Sequence, residues 1–180
     1  MRRVTGSRVE VRLLGSSGMK LKFVVYLCAL LTAMQAAAGA ESFAAPDFVL
    51  KSTGGENIRL SEYRGQIVML SFWASWCGDC RSQLEDFAEL RARYRDSGFE
   101  VLAVSLDTRI DQAAETAATL GIEYPVLHDA GGLVGREYDV DTMPFVVLID
   151  REGAVRQVLE GYRRNRADEF FDHVRDLLRE

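Results

Sequence analysis

Trp73-Ala74-Ser75-Trp76-Cys77-Gly78-Asp79-Cys80-Arg81 decides how this chain folds, because two cysteines stand two residues apart where an apolar run gives way to a helical pattern. Upstream, Ile67-Val68-Met69-Leu70-Ser71-Phe72 reads as a buried strand. Downstream, Leu84, Phe87, Leu90 and Tyr94 recur at helical spacing, so the cysteines open a helix. Unpaired backbone N–H groups and the positive end of the helix dipole favour a thiolate over a thiol at such a point. Cys77 is therefore the candidate nucleophile, expected to be exposed at the strand-to-helix junction. Cys80, one turn further on and less exposed, is the candidate resolving thiol. A structural bridge across so short a loop would restrict the unfolded chain very little, which favours a redox role for the pair.

Working outward, Phe48-Val49-Leu50, Gly54-Gly55 and Ile58-Arg59-Leu60 predict a small leading hairpin. Behind the first helix, Phe99 to Leu106 is a nearly continuous apolar run, as expected of a strand covered on both faces in a parallel sheet. A helical segment over 110–120 stopped by Gly121, a short extended piece at Tyr124-Pro125-Val126-Leu127 and a helical turn over 133–138 follow. Phe145-Val146-Val147-Leu148-Ile149, a turn at Asp150 to Gly153, and the run from Ala154 to Leu159 read as a second hairpin. The last helix turns Phe170, Phe171, Val174, Leu177 and Leu178 inward. Strand and helix alternate first and a hairpin closes the series, so the fold class is α/β with a mixed central sheet flanked by helices.

The front of the chain has a different character. Lys20 and Lys22 precede the apolar run Phe23 to Leu31, and small residues lead to Ala38-Gly39-Ala40, the three regions of a secretory signal peptide. Residues 1–40 are read as that signal, cleaved after Ala40, with Met19 as an alternative start and an uncleaved membrane anchor as the alternative fate. Residues 41–180 are then one exported domain, periplasmic and soluble once the signal is cut, or anchored facing the periplasm if it is not. The first forty residues hold six of the 22 Lys+Arg and one of the 27 Asp+Glu, leaving the remainder with a formal charge of about −10. Nucleic acid is excluded as a partner on that ground, and a membrane is a partner only through an uncleaved front segment. Of the three cysteines, Cys28 falls inside the signal, leaving only Cys77 and Cys80, too few for a disulfide framework. His128 and His173 stand alone at no ligand spacing, so neither a metal nor another cofactor is expected.

Phe72 to Cys80, followed about 65 residues later by Thr142-Met143-Pro144 at the head of a strand, resembles the thioredoxin superfamily. Within it, the leading hairpin and the insertion before Pro144 are similar to the TlpA/ResA/CcmG-type exported thiol-disulfide oxidoreductases. The resemblance covers about residues 44–180. It implies a Cys77/Cys80 dithiol-disulfide cycle that reduces disulfides in envelope proteins, several relatives serving cytochrome c maturation. Its partners are then a disulfide-bearing protein substrate and a membrane protein that delivers electrons. On its residues alone Pro144 reads as a trans proline starting a strand, whereas the resemblance makes it the cis-proline beside the cysteines. Met143 and Trp76 are then substrate-facing, with Trp73 in the core.

The sequence departs from the family's pattern in two respects, at Asp79 and at the pair Ser71 and Gln83. Gly78 and Asp79 tune the potential, and Asp79, standing where a proline is usual, opposes the negative charge of a Cys77 thiolate and pushes the pair toward a reducing potential. Ser71 and Gln83 occupy positions where relatives often carry a carboxylate, and neither can act as a base. Asp79, Glu85 and Asp107 read as solvated surface charges rather than replacements. Two other functions compete: a peroxiredoxin-like peroxidase, which needs a lone peroxidatic cysteine, and a non-catalytic chaperone or binding module on the same scaffold.

Overall fold

The computed structural model describes residues 43–162 and 167–180; the expected signal segment lies outside them. The chain from residue 42 onward forms one compact unit. Among the described residues seven strands and four α-helices follow in the order β1 (Val49–Ser52), β2 (Asn57–Arg59), β3 (Ile67–Trp73), α1 (Gly78–Tyr94), β4 (Phe99–Ser105), α2 (Ile110–Thr119), β5 (Val126–His128), α3 (Leu133–Glu137), β6 (Phe145–Ile149), β7 (Val155–Glu160) and α4 (Ala167–Arg179). They make one sheet in the order β2-β1-β5-β4-β3-β6-β7. β3, β4 and β5 are parallel, and β1, β2, β6 and β7 join them antiparallel, so both hairpins read in the sequence lie at the sheet's two edges.

β3 is buried along its whole length because it is interior, between β4 and β6. Its alternate side chains therefore enter two different cores. Ile67, Met69 and Trp73 face α1, α2 and α4, where Leu84, Phe87, Leu90, Ala113, Ala117, Phe170, Val174 and Leu177 meet them. Val68, Leu70 and Phe72 face the other side, with Phe48, Leu60, Val134 and Tyr138. Phe171 and Leu178 of α4 are only partly buried at the rim of the first core, since the helix lies on the sheet along a stripe narrower than its apolar content.

Two buried phenols tie loops to this frame. Tyr124 donates its hydroxyl proton to the Leu84 carbonyl at 2.9 Å, and Tyr138 donates to that of Pro46 at 2.7 Å. Burial holds both hydroxyls well above the usual tyrosine range. Phe87, fully buried on α1, stacks its edge on Tyr162 at 6.0 Å and lies 6.2 Å from Phe170. It joins α1 to α4, and a Phe87→Ala change is expected to lower unfolding free energy by roughly 3–5 kcal/mol through lost burial and an unfilled cavity. Urea denaturation measures it; a loss under about 1 kcal/mol would mean that the two helices do not depend on this contact.

Candidate active site

The strand-to-helix junction places the cysteines as the spacing implies, with one difference. Cys77 is the N-cap of α1, extended at φ −84° and ψ 106°, and its Sγ accepts the Cys80 backbone N–H at 3.2 Å. One of the helix's unpaired donors is thus aimed at the sulfur, the arrangement that stabilises a thiolate there. Cys77 and Cys80 are bonded as a disulfide, with Cα atoms 5.3 Å apart. Cys80 is fully buried and Cys77 is 8% exposed, so the expected ranking holds but Cys77 is not the open group the sequence suggested. Little of Cys77 reaches the surface, because it packs as a member of the first core. Gly78 and Asp79 sit on the exposed outer side of the first turn, and a side chain added at Gly78 would touch nothing.

Trp76 is 70% exposed, immediately before the nucleophile, while Trp73 is fully buried, as the sequence reading has them. The Met143–Pro144 peptide bond is cis, Pro144 is buried and Met143 is half-buried against the core that contains both cysteines. The Pro144 carbonyl, left outside the β6 ladder, accepts the Gly161 N–H at 2.8 Å and fixes the head of that strand.

A carboxylate that the sequence reading left at the surface is instead inside. Asp107, 1% exposed just beyond the C-terminal end of β4, accepts the Ser75 N–H at 3.0 and 3.1 Å through its two oxygens. It also takes the Ser75 hydroxyl at 2.7 Å and the Ser105 hydroxyl at 2.8 Å. Its own carbonyl pairs with His128 Nε2 at 2.8 Å, and the preceding Leu106 N–H donates to the Trp73 carbonyl at 2.9 Å. The carboxylate faces no cation in this set, and three donors, the Ser75 N–H shared between its two oxygens and the two serine hydroxyls, replace the water it has lost. Asp107 thereby clamps the loop that carries Trp76 and Cys77 to the ends of β4 and β5. The available signal was position: a carboxylate directly after a doubly covered parallel strand lies at the end of the sheet where α/β proteins put their sites.

Beneath Cys80 the core holds a neutral polar pair. Ser71 and Gln83 are both fully buried, and the Ser71 hydroxyl donates to Gln83 Oε1 at 3.1 Å. Gln83 stands one helical turn beyond Cys80 on the same buried face of α1. Its Nε2 and the Trp73 Nε1 are buried donors without an acceptor. Neither Ser71 nor Gln83 can take a proton from a thiol, so this floor orients without titrating.

A mixed sheet of this order with a dicysteine at the head of α1, set against a cis-proline strand in the same core, defines a thioredoxin-like protein. The chain belongs to the AhpC/TSA family, which it matches over residues 43–158, and it is a thiol-disulfide oxidoreductase of the ResA/DsbE type. It is 37% identical over 117 residues to the thiol-disulfide oxidoreductase ResA of Geobacillus kaustophilus, covering 65% of this chain and 67% of that one. Over 128 residues it is 34% identical to ResA of Bacillus subtilis, covering 69% and 72%. Among solved structures, a putative thiol:disulfide interchange protein DsbE from Chlorobium tepidum superposes with a TM-score of 0.74 at 36% identity, over 76% of this chain and 96% of that one.

Proposed function

We propose that the protein works outside the cytoplasm as a reductant of disulfides in envelope proteins, in the service of cytochrome c maturation. Cys77 is the nucleophile and Cys80 the resolving thiol. The observation that carries this reading is the unequal burial of a bonded pair: Cys77 keeps 8% of its surface exposed and Cys80 none. In the reduced protein the Cys77 thiolate attacks a substrate disulfide, forms a mixed disulfide and expels one substrate thiolate. The Cys80 thiolate then attacks Cys77 Sγ, the second substrate thiolate leaves, and the Cys77–Cys80 bond closes. Two electrons pass to the substrate, whose thiolates take up two protons. The cycle restarts when a dithiol of a membrane electron donor reduces the pair. Trp76, Met143 and Pro144 form the surface that the substrate meets. Export rests on the basic, apolar and small-residue succession ending at Ala40, and among the described residues no helix is long and apolar enough to cross a membrane.

The direction of electron flow is tested by the potential of the pair, equilibrated with glutathione. A reductant is expected near the thioredoxin value of about −270 mV, and a value near −120 mV would overturn the direction. Asp79, exposed in the first turn, sets part of it by opposing negative charge at Cys77. Asp79→Asn removes that opposition, stabilises the reduced form and is expected to raise the potential by roughly 10–30 mV, a shift of Coulombic size at a solvated site. An unchanged or lowered potential would remove Asp79 from the tuning residues.

A further inference from the structure

Tyr162 stands where the end of β7 meets α1 and α4. One residue before it, the Gly161 N–H holds the Pro144 carbonyl, so the chain enters Tyr162 directly from the cis-proline's own hydrogen bond. Tyr162 is buried, and its ring packs edge-on against Phe87 of α1 at 6.0 Å and Phe170 of α4 at 5.5 Å. Its hydroxyl donates to the carboxylate of Asp86 on α1, a charge-assisted bond. The two phenylalanines place the ring, and Asp86 gives it a direction.

α1 lies on one face of the sheet, where apolar contacts hold it without fixing direction. Polar contacts supply the direction, strand by strand. Gln83 meets Ser71 of β3, Arg91 pairs with Glu100 of β4, and the Leu84 carbonyl takes the Tyr124 hydroxyl just ahead of β5. Asp86 and Tyr162 make the corresponding tie to the end of β7, and through Gly161 to Pro144 at the head of β6. Asp86 stands six residues beyond Cys80, so neither side chain of this tie takes part in the exchange at Cys77.

We propose that the Tyr162–Asp86 hydrogen bond sets the gap between the two parts of the substrate surface, Cys77 at the head of α1 and Met143–Pro144 at the head of β6, which makes both of them positioning residues for polypeptide binding. The proposal rests on the disulfide-reductase reading and adds this residue pair to it. A polypeptide whose disulfide reaches Cys77 has to fit both heads at once, so slack between them is an ordering cost that its binding must overcome. A small disulfide meets only the sulfur and is indifferent to the gap. The exchange step is held by other contacts, the Asp107 clamp on Ser75 and the Cys80 N–H at Cys77 Sγ.

The test uses the reduced protein and two probes: hydroxyethyl disulfide, and an unstructured synthetic peptide whose single cysteine is in mixed disulfide with glutathione. Tyr162→Phe keeps the ring between Phe87 and Phe170 and removes only the hydroxyl. It is expected to raise KM for the peptide roughly fivefold, within the range a single hydrogen bond contributes, with kcat unchanged. Asp86→Ala should do the same from the other partner, and the double variant should be no worse than either single one. Asp86→Asn loses the charge but keeps an acceptor oxygen, so it should stay near the native KM. The rate with hydroxyethyl disulfide should be native in all four and reports intact folding. An unmoved KM in Tyr162→Phe and Asp86→Ala overturns the positioning role, as do rates that fall together on both probes, which would mark a general loss of stability. Asp86→Asn as impaired as Asp86→Ala would assign the effect to charge and overturn it too. A native protein inactive on both probes overturns the reductase reading itself, and the positioning role with it.

Discussion

A Cys80→Ala variant expressed in its host is expected to accumulate covalent adducts with its substrates and to lose turnover by at least ~10²-fold, the loss typical when a group that acts in the chemical step is removed. The reason is geometric. Cys80 is fully buried directly behind Cys77, with Cα atoms 5.3 Å apart, so it meets the mixed disulfide from inside the protein while substrate occupies the outer side. Any other thiol must come through the same narrow opening that the substrate fills, since only 8% of Cys77 is accessible. Adducts should appear on non-reducing gels, vanish with reductant, and be absent from the Cys77→Ala/Cys80→Ala double variant. Their identification gives the substrates directly, and c-type apocytochromes among them would support the maturation role. A peroxidase would behave differently, keeping its first turnover with peroxide and trapping no protein. Recovery of no adduct dependent on Cys77 would overturn the dithiol cycle.

The fold was legible because periodicity and punctuation agreed along the chain. Ile67 to Phe72 has no polar break except Ser71, which suits only an interior strand, and the 84-87-90 spacing left one orientation for α1. The edge hairpins announced themselves by the glycines at 54, 55 and 153. The cysteines' order of burial followed from helix geometry, because a residue three positions into an inward-facing stripe is deeper than the cap. How deeply Cys77 itself is covered was not legible, since it sits in a core completed by residues as distant in sequence as Val146 and Phe170. Asp107 was misread for a similar reason. A carboxylate's solvation is set by what donates to it, and its donors come from the loop 32 residues earlier and from Ser105 on its own strand.

Replacing Asp107 should therefore disrupt the fold about as much as emptying the core at Phe87. Asp107→Leu leaves the Ser75 N–H, the Ser75 hydroxyl and the Ser105 hydroxyl without their acceptor in a buried place, at about 1–3 kcal/mol for each group that stays unsatisfied. Serine hydroxyls rotate toward other partners, so the expected loss in urea unfolding is roughly 3–5 kcal/mol rather than the full sum. Asp107→Asn keeps the shape and one acceptor oxygen but turns an NH₂ group toward donors, and is expected to cost about half as much. The two variants also separate anchoring from charge. If the carboxylate's role is to hold the loop, both should slow reduction of a protein disulfide in proportion to their loss of loop order, read as faster quenching of Trp76 fluorescence by iodide. If its negative charge also acts on the Cys77 thiolate, Asp107→Asn should raise the potential in the same direction as Asp79→Asn. Full native stability in Asp107→Leu would mean that the hydrogen bonds around Ser75 contribute nothing net to the fold. Native stability is the least expected of these outcomes, because a loop that runs from an interior strand straight into a helix cap has only this carboxylate to accept its first free N–H.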